Sequence, residues 1–283
     1  MPAAGNTPRA RALGAELREL RNAAGFGVRE LARHLGISRS SLSRYESGQS
    51  VPEVRIVAMI LGALGVTTAD RDRILDLAED AKDATWLETS IPGVHRQLLA
   101  LIEFERTARL ITEVSPLLIP GLLQTGDYAR AIMTGAGHRG HEAESRVMVR
   151  LGRKEILVRR KPVELVALIG EQAIRQPLGG PDVMAEQLHH LSEMAQRPNI
   201  TIQVIPATGS IWHPGLTGPF TLLEFPLAPP MVNLEHHRSS LFLFESDDVS
   251  VYKDVVGTVR SIAMSPEESA KLIIDSKDKM EKA

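Results

Sequence analysis

Residues 28–48 read Val-Arg-Glu-Leu-Ala-Arg-His-Leu-Gly-Ile-Ser-Arg-Ser-Ser-Leu-Ser-Arg-Tyr-Glu-Ser-Gly, and their spacing predicts a helix, a tight turn and a second helix. Val28, Leu31, Ala32 and Leu35 recur at helical spacing and form one apolar stripe. Gly36 follows where a chain leaving a helix turns left-handed, a conformation that costs little without a Cβ. Ile37 can plug the core between the two helices. Ser38 suits the N-cap of the second, because its hydroxyl can accept an orphan backbone N–H. That helix buries Leu42 and Tyr45, turns Arg39, Ser40, Ser43 and Arg44 outward, and stops at Ser47-Gly48. A helix of this width enters the DNA major groove, and the first residues of the second helix reach base edges.

The pattern continues outward. Pro52 stands near the first turn of a further helix, whose apolar face is Ile56, Val57, Ile60, Leu61 and Leu64 and which ends at Gly65. Thr68 caps another, with Asp70 in its first turn, where a carboxylate suits the helix dipole. These elements predict an α-helical domain over 9–80, behind a short disordered lead at 1–8 and ahead of a polar linker at 81–93.

Charge divides along the same line. Residues 1–67 carry nine arginines, no lysine and five glutamates, a net +4; the formal charge of the whole chain is −2, which leaves −6 for the rest. A basic head on an acidic body fits DNA contact through one end only.

The run from Glu30 to Pro52, ELARHLGISRSSLSRYESGQSVP, resembles the Xre/phage-repressor family of helix-turn-helix proteins over about residues 11–65. The resemblance places Arg39, Ser40, Ser43 and Arg44, with the Ser38 cap beside them, where that family contacts bases or nearby phosphates, and it implies a structural ion pair of Arg21 and Glu46 that ties the first helix to the recognition helix. Arginine bidentate to guanine is the commonest specific contact. The family usually opens its first motif helix with a Ser or Thr cap followed by a Gln that touches a phosphate. Gly27 and Val28 hold those places here, which leaves Arg29 for the phosphate contact.

Residues 94–283 predict an α+β domain, a small mixed sheet of four or five strands flanked by helices. Helices are expected over 94–112, 122–133, 142–159, 181–196, 250–263 and 266–279. Ser265, with Glu268 three residues on, forms a capping box for the last. Short apolar or alternating runs at 164–170, 200–205, 220–225, 231–235 and 240–244 read as strands.

This part also carries a resemblance. SPLLIPGLLQTGDYARAI (115–132), LGRKEIL (151–157), GGPDVMAEQLHHLSEMAQRPNITIQVIP (179–206) and SPEESAKLI (265–273) are similar to the domain behind Xre-type heads in actinobacterial regulators, the WhiJ-like and Scr-type antitoxin-like proteins. The resemblance implies a regulator of development or secondary metabolism acting with a small acidic partner protein, often encoded next door. An antitoxin-like protein that sequesters that partner, and binds DNA for autoregulation, is the alternative expectation. Gln124, Thr125 and Tyr128 lie in the matched segment and are candidates for a pocket or interface, one that leaves room for an unidentified small-molecule effector.

The same residues offer no complete enzyme motif. Gly209-Ser210 lacks the surroundings of a nucleophile elbow. Gly179-Gly180-Pro181 lacks the Lys-Ser/Thr of a phosphate loop. His189-His190 and His236-His237 are adjacent pairs whose members point apart, and His138 and His141 have no acidic third ligand at a recognised spacing. The expectation is a non-enzyme without cofactor or metal. There is no cysteine, no apolar run near the ~20 residues that span a membrane, and no apolar leader core at the first residues. A cytoplasmic, nucleoid-associated location follows as an expectation. One such head covers a half-site, so a homodimer on a palindromic double-stranded operator is expected.

Overall fold

The computed structural model describes residues 7–82, 96–207, 212–235 and 240–282. The chain divides into an N-terminal unit, Met1–Ser90 with Phe225–Pro229, and a larger unit comprising Ile91–Glu224 and Pro230–Ala283.

The N-terminal unit is helical: α1 (Pro8–Ala23), α2 (Val28–Leu35), α3 (Arg39–Glu46), α4 (Val54–Ala63) and α5 (Thr68–Lys82). Its core is Leu13 and Leu17 of α1, Leu31 and Ala32 of α2, Leu42 of α3, Val57, Ile60 and Leu61 of α4, and Ile74 and Ala78 of α5. The residues from α1, α4 and α5 recur at three- or four-residue spacing, so each of these helices gives one stripe to the interior that Leu31, Ala32 and Leu42 complete. Ile37 and Val28 pack against it from its edge. Thr7 caps α1, its Oγ1 accepting from Ala10 N at 3.1 Å. Gly36 ends α2 at φ 67°, and Ile37 N donates back to Ala32 O at 3.0 Å, closing the turn between the motif helices.

The larger unit begins with α6 (Arg96–Thr107) and β1 (Leu110–Ser115), then α7 (Gly126–Gly135), α8 (Gly140–Arg153), β2 (Glu164–Gly170), α9 (Glu171–Arg175), α10 (Pro181–Met194) and β3 (Ile200–Ile205). Strands β4 (Phe220–Glu224), β5 (Met231–Glu235) and β6 (Ser240–Leu243), then α11 (Ser246–Ile262) and α12 (Pro266–Met280), complete it. The strands form one sheet in the order β3-β2-β1-β4-β5-β6. β1, β2 and β3 are parallel, joined by helical crossovers as parallel neighbours must be. β4, β5 and β6 run antiparallel. The sheet is mixed and helix-flanked, as expected, with two corrections: it has six strands rather than four or five, and residues 110–112, expected at the end of a helix over 94–112, open β1, the central strand that joins the two halves.

One sheet face presents Val114, Leu168, Phe220, Leu222 and Val232 to Val249 and Val259 of α11, with Phe220 edge-on to Tyr252 at 4.8 Å. The Ser265–Glu268 capping box closes the start of α12. Ser269 Oγ then accepts from Val204 N at 2.8 Å, fastening α12 to the edge strand β3. At the end of β2 a Cβ on Gly170 would meet Pro116 O at 2.0 Å, so no other residue fits beneath the chain leaving β1.

Candidate nucleic-acid interface

The second motif helix is α3, only eight residues long, too short to persist alone in water. Its position is imposed by the helix beneath it. Arg21 of α1 reaches Glu46 of α3 with two parallel hydrogen bonds, Nε to Oε1 at 2.6 Å and Nη2 to Oε2 at 2.9 Å. Both side chains are under a tenth exposed, 9% and 7%. Arg21 Nη1 also donates to Phe26 O at 2.8 Å and Asn22 Oδ1 at 2.9 Å, so one guanidinium holds α3 and the loop before α2 together. Such planar bidentate geometry suits arginine and not lysine.

Two glycines make this approach possible, and sequence reasoning missed the first. A Cβ on Gly14 would lie 2.5 Å from Tyr45 O and 2.8 Å from Glu46 O, so α1 and α3 meet there backbone to backbone. Helical spacing alone shows only an unremarkable small residue on α1. Gly48 adopts φ 72°, and a Cβ on it would strike Arg11 Cα at 2.7 Å. Arg11 is buried beneath that turn, and loss of water pulls its guanidinium down to about 10.

With Leu42 and Glu46 turned inward, Arg39, Ser40, Ser43 and Arg44 are all exposed on the outer side of α3. Ser38 caps the helix: its Oγ accepts from Ser41 N at 2.9 Å and lies 2.9 Å from Ser40 Oγ and 2.8 Å from Ser41 Oγ. Three hydroxyls therefore cluster at the positive end of the helix dipole, where a phosphate is favoured. Tyr45 is half-buried rather than a full core residue, because it sits at the rim of the α1–α3 contact. Arg29 is exposed in the first turn of α2. That helix has no side-chain cap; the Glu30 carboxylate accepts from Gly27 N at 3.4 Å instead. Among the described residues no carboxylate lies against Arg29, Arg39 or Arg44, whereas Arg73 is held by Glu16 and Arg55 by Glu53.

Gln124, Thr125 and Tyr128 of the larger unit are brought together but sit buried. Tyr128 Oη accepts from Ile119 N at 3.2 Å, Thr125 Oγ1 caps α7, and Thr125 N donates to Gln187 Oε1 at 2.7 Å. Gln124 Nε2 donates to Ile119 O at 2.7 Å, its Oε1 accepts from Arg150 Nη1 at 2.9 Å, and its backbone O accepts from Lys154 Nζ. They are joints between the segment after β1, α7, α8 and α10 rather than an exposed pocket lining.

Of the histidines, His138 lies 2.9 Å from Glu142 and His189 3.5 Å from Glu193. The pair 236–237, the 209–210 segment and nearly all of the expected linker and lead lie outside the described residues. No described helix is long and apolar enough to cross a membrane.

No curated protein and no solved structure matches the chain. Two family models do. Residues 12–74 match that of a helix-turn-helix domain, which spans most of α1 to α5 and includes every side chain placed on the exposed motif face. Residues 98–275, well over half of the chain, match the model described as a domain of unknown function, DUF5753, and the chain belongs to that family.

Proposed function

We propose that this protein is a sequence-specific transcription regulator that lays α3 in the DNA major groove. The observation that carries the reading is the face of α3 itself: Arg39, Ser40, Ser43 and Arg44 exposed and uncommitted on a helix locked from behind by Arg21 and Glu46. Arg39 and Arg44 read base edges, Ser40 and Ser43 bases or phosphates, and Arg29 a phosphate. The chain acts as a homodimer on a two-fold symmetric operator, since one head covers a half-site. The DUF5753 unit supplies dimerisation and sensing of a small partner protein or ligand, in a regulator of development or secondary metabolism.

Selection of bound fragments from a genomic DNA pool by the purified protein, at near-physiological salt, tests this reading. Recovery of a two-fold symmetric site is expected, with discrimination lost in Arg39→Ala and Arg44→Ala. Recovery of no sequence by folded protein, or unchanged discrimination in both variants, defeats the assignment.

A further inference from the structure

The sheet face turned away from α11 holds a polar row that packing does not explain. Glu113, Thr221, Asn233 and Phe242 stand side by side in register across β1, β4, β5 and β6, so all four project from one face. Glu235 follows two residues beyond Asn233 on the same face. The neighbouring register carries Ile111 and Leu223, an ordinary apolar pair. Asn233 is 1% exposed, and its Oδ1 accepts no hydrogen bond, which is rare for a buried amide. Glu113, Thr221 and Phe242 are each half-buried, so the row opens to solvent.

Charged side chains from α6 and α8 stand against it. Arg153 is spent on Glu105, with bonds of 2.8 and 2.6 Å. Arg150 is steered by the hydrogen bond to Gln124 Oε1 and lies within reach of Glu113, Glu235, Glu105 and Arg153. Gly121 N–H points at the Glu113 carboxyl. With Arg153 and Glu105 closed as a pair, Arg150 is the guanidinium left facing Glu113 and Glu235 among the described residues. Burial, helped by Glu105 and Glu235 and opposed by Arg153 and Gly121 N–H, pushes Glu113 up to about 7. With Glu113 ionised, the described charges here, Glu105, Glu113 and Glu235 against Arg150 and Arg153, leave one negative charge in excess. Beside it, Phe242 stacks on Phe244 with centroids 6.4 Å apart and planes at 19°, and Phe104 tilts onto both. That wall suits a flat body or a cation over a ring.

We propose that this face binds a small organic cation, an amine, amidine or guanidine on a flat or apolar body. Its nitrogen sits between Glu113 and Glu235 and donates to Asn233 Oδ1, and its body lies along Phe242. This deepens the sensing half of the function proposed above, naming the chemistry of the ligand, and it rests on that reading only for any effect on DNA binding.

Calorimetric titration of the full chain with benzamidinium and phenethylammonium, against neutral benzamide and anionic benzoate, tests it without DNA. At least one cation is expected to bind one to one, and neither control. Because the ionised form of Glu113 is the competent one, affinity rises about tenfold from pH 6 to pH 8, with proton release visible in buffers of different ionisation heat. Glu235→Gln, at an exposed position that leaves the fold intact, weakens binding at least several-fold. Glu113→Gln abolishes the pH dependence, which a merely structural carboxyl would not govern. Absence of binding by both cations, benzoate binding equally well, or binding unchanged in both variants overturns the proposal. The genomic selection can fail while this titration succeeds, and the reverse, so the two readings fall separately.

Discussion

Replacing Arg21 with Met, and Glu46 with Leu, separately and together, tests whether the buried pair sets the position of the recognition helix. Arg21→Met leaves the Glu46 carboxylate nearly sealed from water with its two bonds of 2.6 and 2.9 Å gone, and strips a donor from Phe26 O and another from Asn22. Removing one partner of a buried pair costs about 3–5 kcal/mol, because a charge is left without compensation. A helical unit of this size has roughly 4–11 kcal/mol in total, taking 0.05–0.15 per residue. Each single variant therefore loses from about a quarter to all of that stability. At roughly 4–8 °C per kcal/mol for a domain of this length, calorimetry should show the helical unit melting at least ~12 °C lower. The double variant leaves no charge behind and substitutes apolar volume, so it should recover to within about 1–2 kcal/mol of the parent. The signature is a coupling energy above about 2 kcal/mol in the double-mutant cycle. Single variants costing under ~1 kcal/mol, or a double variant costing the sum of the two, would refute the reasoning. The recovered double variant also lacks the fork that aims α3, so its affinity for a selected site should stay below that of the parent.

Gly14→Ala should destabilise the same unit by roughly 1–2 kcal/mol in urea: forcing α1 from α3 costs about 1–3 kcal/mol, offset in part by the better helix propensity of alanine, up to ~1 kcal/mol. A variant as stable as the parent would show that the close approach at Tyr45 O has no consequence. Arg39→Ala should weaken binding to a selected site by about 1–3 kcal/mol and relax one base position. Arg29→Ala should instead weaken all sequences alike and reduce the log–log salt slope by about 1; identical profiles would merge the two roles. Glu113 is held at about 7 against an ordinary 4.5, so the folded state binds a proton that the unfolded chain releases between those values. Its contribution is whole below about pH 4.5 and is lost as pH rises through 7, by up to roughly 3 kcal/mol. Glu113→Gln should therefore match the parent at pH 5 and exceed it at pH 8 in urea denaturation; a difference of the same size at both pH values would count against the shift.

The head was legible because its code is local. The stripe of Leu31 and Ala32, the left-handed turn at Gly36 and the Ser38 cap each act within a few residues, and helical periodicity carries them directly. Five of the six strands were legible for the same reason, being short apolar runs bounded by Pro or Gly. Strand β1 was not. Leu-Ile-Thr-Glu-Val-Ser follows Thr107-Ala-Arg with no Gly or Pro between them, and its apolar residues continue the spacing of the preceding helix. Only pairing with β2 on one side and β4 on the other makes it a strand, and those partners lie more than fifty residues away. The same missing strand concealed Glu113, since a glutamate just past the end of an expected helix reads as solvated. Gln124 and Tyr128 stood out as a segment, but a candidate pocket and a buried joint have the same composition; only their partners, Ile119, Arg150 and Gln187, tell them apart.

The side chains that read DNA in this proposal and those that aim them are different sets, under different constraints. Arg39, Ser40, Ser43 and Arg44 are exposed, and changing them leaves the core untouched, so the recognised sequence can alter without cost to the fold. Arg21, Glu46, Gly14 and Gly48 touch no groove. They fix an eight-residue helix that has little stability of its own, and base readout by bidentate side chains tolerates only small displacements of that helix. A change at Gly14 should therefore degrade discrimination among sequences while the surface charge, and with it the non-specific affinity, stays the same. Loss of specificity with unchanged non-specific binding would be the mark of a misaimed helix; loss of both together would mean that the unit had unfolded.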